Sequence, residues 1–197
     1  VCACHIYEKK EYNLKILVDE SRLKRYIENP TIFNSKEYRF DYVLPSETGF
    51  KADLIIIATK NDAFDFVVDS IKNFVTKETI FMSLLNGVQS EQKLASVYGS
   101  DNLLISFYIG ASCVREGRNI KQDKGEYCIE TGPYDNSKPQ AAEAVSHFFD
   151  NAGIKYICSL NIKEEYWKKF IINTGINQLS AVSGKTLKEI KQNPELV

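Results

Sequence analysis

Five apolar residues in a row, Leu54 to Ala58 within KADLIIIATK, constrain this chain more than any other stretch. A strand with one wet face alternates apolar and polar residues. An unbroken, β-branched run instead fits a parallel strand covered on both faces. The period then changes: Phe64, Val67, Val68, Ile71 and Phe74 recur at helical spacing. A doubly covered strand followed by an amphipathic helix is the repeating unit of α/β folds.

The same alternation runs along the chain. NLKILVDES (13–21) reads as a buried strand, and RLKRYIEN as a helix or turn start. EYRFDYVLP alternates like an edge strand closed by Pro45. TIFMSLLNG (79–87) is a further buried strand. SEQKLASVYG is expected to be a helix with Ser90 as its N-cap and Gly99 just past its end. NLLISFYIGAS reads as a strand and CVREGRNIKQDKGEYCIETG as a hairpin. SKPQAAEAVSHFFDNAG reads as a helix capped by Ser137, with Pro139 in its first turn and Gly153 ending it. IKYICS is a last strand, and a helix opens at about 163 and runs to 182. The expectation is an α/β, Rossmann-like, mostly parallel sheet domain over residues 1–160, with residues 161–197 starting an all-helical domain.

The 197 residues carry a net charge of −1, which gives no electrostatic reason to bind nucleic acid or an anionic membrane. No apolar run approaches the roughly 20 residues of a membrane span. The cysteines at 2, 4, 113, 128 and 158 are odd in number, and their spacing is neither that of a disulfide scaffold nor that of a zinc site. Reduced thiols in a cytoplasmic protein, with no metal, are expected.

The candidate chemistry lies in three places. Ligands of open α/β sheets bind beyond the carboxyl ends of the strands, where Thr59-Lys60 and Asn86-Gly87 sit. The third place is WKKFIINTGINQLSA (167–181). At about 100° per residue, Lys169, Asn173, Asn177 and Ser180 share an arc of roughly 80° on a rod otherwise ringed by isoleucine, leucine and valine. So apolar a helix is expected to be buried, carrying its polar stripe into the interior or into a cleft. Buried amide and ammonium groups need partners, from the protein or from a ligand.

These segments, ADLIIIATK with Lys60, LLNGVQSEQKL with Asn86-Gly87, and EEYWKKFIINTGINQLSA, together resemble the ketopantoate reductase (2-dehydropantoate 2-reductase) family. The last is similar to that family's W-x-K-x-x-x-N-x-x-x-N pattern, with Lys169, Asn173 and Asn177 in the motif positions. The resemblance implies a dinucleotide-binding domain followed by a helical domain that often forms a dimer surface, with the active site between them. It further implies that NADPH reduces a small 2-keto acid, ketopantoate, to pantoate on the route to coenzyme A. By position, Lys169 would be the general acid and Asn173 and Asn177 would hold substrate. Lys60 and Asn86 would line the nicotinamide and substrate side. A fixed ammonium suits this chemistry, because hydride addition builds negative charge on the carbonyl oxygen.

The sequence also departs from the family. None of its ten glycines forms a G-x-G pair, so the phosphate-binding fingerprint is absent. The likeness starts just beyond that motif, which implies a missing first strand and phosphate loop. It also stops at Val197, short of a further serine and glutamate of the substrate site. A partial chain is therefore expected, one that by itself binds NADPH poorly. Gln178 and Ser180 stand where the family usually has proline and threonine. Asp19, at the end of the second family strand, favours NAD and Arg22 favours NADP; the resemblance tips the choice to NADP. Two alternatives stay open. One is a reductase of the same fold for another 2-keto acid. The other is a non-catalytic remnant that only binds a ligand or a partner subunit.

Overall fold

The computed structural model describes residues 1–110, 113–122, 127–134 and 139–193. Its centre is a five-stranded sheet of β5 (Leu54–Ile57), β6 (Ile80–Ser83), β7 (Leu103–Ile109), β10 (Cys128–Pro133) and β11 (Tyr156–Cys158), in the order β11-β10-β7-β6-β5. β5, β6 and β7 are mutually parallel, β10 runs against β7, and β11 is parallel to β10. The mixed sheet with helices on both faces is the expected Rossmann-like α/β class.

The apolar runs are explained by where neighbouring residues go. On β6, Phe81 enters a cluster with Ile57, Leu103 and Leu94, covered by α3 (Phe64–Ser70) and α4 (Ser90–Tyr98). The next residue, Met82, enters the opposite cluster with Leu104, Ile129 and Phe149, beneath α5 (Gln140–Ala152) and α1 (Cys2–Glu8). Successive side chains of a strand point to opposite faces, so a sheet buried on both needs apolar residues at every position.

β1 (Lys15–Leu17) pairs in parallel with β4 (Asp41–Val43) as a separate two-stranded sheet. Leu14 and Leu17 share the two cores with Leu54, Ile55 and Ile56, yet no ladder joins β1 to β5 among the described residues. A third sheet, ordered β3-β2-β9-β8, consists of β2 (Thr31–Phe33), β3 (Lys36–Tyr38), β8 (Cys113–Glu116) and β9 (Asn119–Gln122).

Several local expectations are corrected. The single edge strand expected at EYRFDYVLP is two strands in two sheets. Asn34 and Ser35 both take positive φ (48° and 68°), a two-residue hairpin turn that folds β3 back onto β2. The chain then crosses over, and β4 pairs with β1. The supposed hairpin at 113–132 holds three strands, and the third, β10, belongs to the central sheet. Ser90 is the first residue of α4 rather than its cap, a position Gln89 takes without a side-chain bond. Pro139 occupies the N-cap of α5 and not its first turn, and Ser137 lies outside the described residues. Gly99 and Gly153 end their helices as expected.

The largest correction concerns α6 (Ile162–Ser183). Only Ile162 and Tyr166 along it are buried, while Trp167, Ile171, Ile172 and Val182 are exposed by half or more of their surface. Apolar residues all round the helix imply burial only where something lies on each side. Here β7 and β10 cover only its first turn and a half.

Candidate active site

The carboxyl ends of β5 and β6 emerge at one edge because the strands are parallel. Leu84 N–H donates to the Ile57 carbonyl at 2.8 Å, carrying the pairing just past both strand ends. Beyond it, Asn61 Nδ2 donates to the Asn86 carbonyl at 3.3 Å and ties the two loops together. Gly87 follows with φ of +100°, a conformation that side chains rarely adopt, and turns the chain into α4. Lys60 and Asn86 are both exposed at this edge. Among the described residues no side chain pairs with the Lys60 ammonium.

α6 delivers Lys169 to the same place. Ile162 and Tyr166 lock its first turns against Ile105 and Phe107 of β7, with Val88 and Tyr134 at the margin. The Tyr166 and Phe107 rings stack with centroids 5.8 Å apart and planes 17° from parallel. Lys169, three residues beyond Tyr166, sits with Nζ 4.9 Å from the centroid of that same Phe107 ring. Its ammonium reaches Asn86 Oδ1 at 3.4 Å, a long hydrogen bond across 83 residues of sequence. Two of the three sequence-predicted places thus meet side chain to side chain, and Lys60 lies on the loop bonded to one of them.

The remainder of the stripe is less enclosed. Asn173 is half-buried and Asn177 exposed, and neither amide has a side-chain partner among the described residues. Asp19 and Arg22 stand together beyond β1, but bonded to each other. Asp19 caps α2 (Glu20–Glu28) by accepting from Arg22 N–H at 2.9 Å, and it pairs with Arg22 Nε at 3.1 Å. Hydrogen bonding from the Ser21 hydroxyl, helped by Arg22, holds the Asp19 carboxyl below its ordinary range.

Sequence reasoning missed what lies beneath Lys169. Glu91, in the first turn of α4, is 1% exposed. Its Oε2 accepts from the Tyr166 hydroxyl and, at 2.9 Å, from Ser90 Oγ, which itself accepts from Ser83 Oγ at 2.8 Å. Burial pushes the Glu91 carboxyl up, against the opposing influence of Tyr166, Ser90 and Lys169. Burial likewise pushes the Lys169 ammonium down, and the negative charge of Glu91 opposes it. Tyr166 is driven well above the ordinary phenol range by burial and by Glu91. A glutamate opening a helix reads from sequence as a partner of the helix dipole, so nothing in it signalled a buried role. Two depressions elsewhere, one beside Lys15 and Glu47 and one beside Cys128 and Tyr156, include neither Lys169 nor Asn86.

The family profile described as ketopantoate reductase PanE/ApbA matches residues 1–136. The chain belongs to the ketopantoate reductase family. A 2-dehydropantoate 2-reductase of Pyrococcus horikoshii is 29% identical over 149 residues, 76% of this chain and 48% of the relative. This ketopantoate reductase homologue thus spans about half the length of the curated relatives it matches. Among solved structures, D-mandelate dehydrogenase with NADH and anilino(oxo)acetate superposes with a TM-score of 0.86 at 21% identity, covering 99% of this chain and 64% of that one. A dimeric ketopantoate reductase from Staphylococcus aureus gives a TM-score of 0.65 at 19% identity, over 85% of this chain and 60% of that one. At such identities the two structures establish the fold.

Proposed function

We propose that this chain carries the nicotinamide-side half of a reductase site that converts a small 2-keto acid to the 2-hydroxy acid, with ketopantoate as substrate and NADPH as reductant. The observation that carries this reading is the meeting of Lys169 with Asn86 at the carboxyl edge of the sheet. Family membership supports it, as do the 2-dehydropantoate 2-reductase from Pyrococcus and the NADH-bound dehydrogenase of like fold. In this reading α6 opens the helical substrate domain, from about residue 161. Its exposed Trp167, Ile171 and Ile172 suit further packing, including a homodimer, since the Staphylococcus relative is dimeric.

The residues present fit the two ends of a dinucleotide. Asn86 offers an amide at the nicotinamide end and Lys60 a cation with no side-chain partner among the described residues. At the other end, the Asp19 carboxylate is already taken up by the α2 cap and by Arg22. Arg22 keeps 57% of its side chain exposed. An engaged acid beside a guanidinium that stays largely exposed while paired with it favours a ribose 2′-phosphate over a free 2′-hydroxyl, hence NADPH. No G-x-G-x-x-G stands in the chain to cradle the diphosphate.

The bound reduced nicotinamide supplies the hydride that forms the new C–H bond at the keto carbon. The protein's own contribution is at the oxygen. Lys169 Nζ donates a hydrogen bond to the carbonyl oxygen, stabilises the charge that develops there, and passes it a proton to leave the 2-hydroxy acid. Asn86 and the Phe107 ring fix the ammonium from two sides, so it is positioned before the substrate arrives. Asn173 and Asn177, one and two turns further along, take the substrate's hydroxyl and carboxylate. Carboxamides do so as donor and acceptor without adding charge.

The test is the oxidation of NADPH, followed as loss of the reduced cofactor's absorbance, by the full-length protein with ketopantoate, other 2-keto acids and NADH as alternatives. Ketopantoate and NADPH should give the highest kcat/KM. Equal rates with unrelated 2-keto acids would move the assignment to a reductase of broader substrate. No turnover with any of them would leave the remnant that only binds.

A further inference from the structure

Glu91 is the one buried charged side chain at the site to which the proposed reaction gives no part. A carboxylate in the first turn of a helix is ordinary, because the helix dipole favours negative charge there. That explanation calls for an exposed or partly exposed group. Glu91 is sealed at 1% exposure, and its Oε1 has no hydrogen-bond partner among the described residues. A buried oxygen left bare is costly, so its persistence needs a cause beyond capping.

The surroundings supply one. Oε2 is held by two hydroxyls, Ser90 from α4 and Tyr166 from α6. Tyr166 stacks on Phe107, and Phe107 carries Lys169 on its ring. Among the described residues the titratable groups acting on Glu91 are Tyr166 and Lys169 from α6; Tyr134, following β10, acts on Tyr166, and β6 adds the Ser83–Ser90 hydroxyl chain. Lys169 is the cation among them. Its other neighbours, the Asn86 amide and an aromatic face, are neutral.

We infer that Glu91 is a positioning residue for Lys169: its buried carboxylate is the counter-charge of that ammonium and, through Tyr166, the tether that sets the register of α6 over the sheet edge. The inference rests on the reductase reading for its purpose, not for its measurement. A lysine entering a half-buried site loses hydration and tends toward the neutral form, which could no longer donate a proton. A nearby anion out of reach of solvent counters that tendency without competing for the substrate, since it never enters the cleft. Coupling is reciprocal. The ammonium favours the charged form of Glu91, and Glu91 favours that of Lys169, each against the larger pull of burial.

The experiment reads the lysine directly. Lysines of the full-length protein are reductively methylated with isotope-labelled formaldehyde, the Lys169 signal is assigned by its loss in Lys169→Arg, and its shift is followed against pH by NMR. In Glu91→Gln, which keeps the shape of the side chain and removes its charge, Lys169 should titrate lower by about one pH unit, the scale of a close opposite charge. Glu91→Asp should recover part of the difference. Because Glu91→Gln could weaken folding, the unmutated protein provides a second reading. Its Lys169 signal should show a smaller inflection where Glu91 titrates, above the ordinary carboxylate range. An unmoved Lys169 titration in a folded Glu91→Gln, or no second inflection in the unmutated protein, overturns the inference. If the titration moves while no 2-keto acid is reduced, the proposed reaction fails and the coupling stands. If 2-keto acids are reduced and the titration stays put, the reverse holds.

Discussion

The two halves of α6 have opposite surroundings. From Ile162 to Tyr166 the helix is clamped on β7 and β10; from Trp167 onward Ile171, Ile172 and Val182 face outward. Sequence misleads here, since the clamped start carries Lys163, Glu164 and Glu165 while most of the apolar residues lie in the part that faces outward. The difference shows that the placement of Lys169 comes from the clamp behind it and owes little to the helix ahead. One turn of helix past a fixed point leaves little angular freedom, so the ammonium is held over Phe107 and Asn86. Two and three turns past that point, Asn173 and Asn177 are correspondingly less enclosed.

The largest effect is expected at the junction of the halves. Lys169→Ala in the full-length protein should lower turnover by about 10²–10⁴-fold, the usual worth of a positioned general acid. Stability should fall by about 1–3 kcal/mol, because the substitution closes no core cluster but strips the sealed Glu91 carboxylate of its counter-charge. Near-normal turnover would remove Lys169 from the chemistry. The pH profile supplies the sign. Proton donation needs the charged ammonium, and burial holds Lys169 below an ordinary lysine. Activity should therefore fall as pH rises through that lowered value, earlier than an exposed lysine would dictate. Glu91→Gln should bring the fall earlier still.

The central fold was legible because burial on both faces of a sheet leaves short, β-branched apolar runs bounded by turn signals. LIII and IFMS read as strands, and their carboxyl ends located Lys60 and Asn86. The third sheet was not legible. β2, β3, β8 and β9 are short, lie largely at the surface, and pair Ile32 with Asn119 across 87 residues, so no local pattern announces the partner. At the site, the polar stripe was visible through its helical period, and the likeness to a reductase motif supplied its meaning. Glu91 and Tyr166 were invisible for the converse reason. A glutamate after a helix start and a tyrosine among charged residues look solvated until the fold brings them together. The misjudged burial of α6 has the same root, since composition reports what a helix could bury and not what lies beside it.

The contrast between the halves can be tested by matched substitutions. Ile162→Ala empties a site that is 2% exposed, between β7, β10 and Tyr166, and should cost about 2–5 kcal/mol by chemical denaturation. Ile171→Ala, at 65% exposure, should change stability by less than about 0.5 kcal/mol in the same chain. Equal losses at the two positions would mean that something covers the outer half in solution.

A single methyl group under the clamp tests the seat of the helix. Gly132 lies on β10 beneath the start of α6, where an added Cβ would stand 2.6 Å from the Ser159 carbonyl oxygen and 2.8 Å from Ile162 Cβ. Neither neighbour can swing aside. The first is backbone, and the second is the stem of the side chain that seats the helix. Gly132→Ala must therefore lift the 159–162 segment from the sheet, an overpacking cost of about 1–3 kcal/mol. Lys169 hangs from the same helix about two turns past Ile162, so the lift should also lengthen its reach to Asn86. Turnover should then fall further than the lost stability explains at temperatures where the variant remains folded. Loss of stability with unaltered turnover would show that α6 holds its register by the Tyr166–Glu91 bond alone, and that the seat at Gly132 only supports the fold.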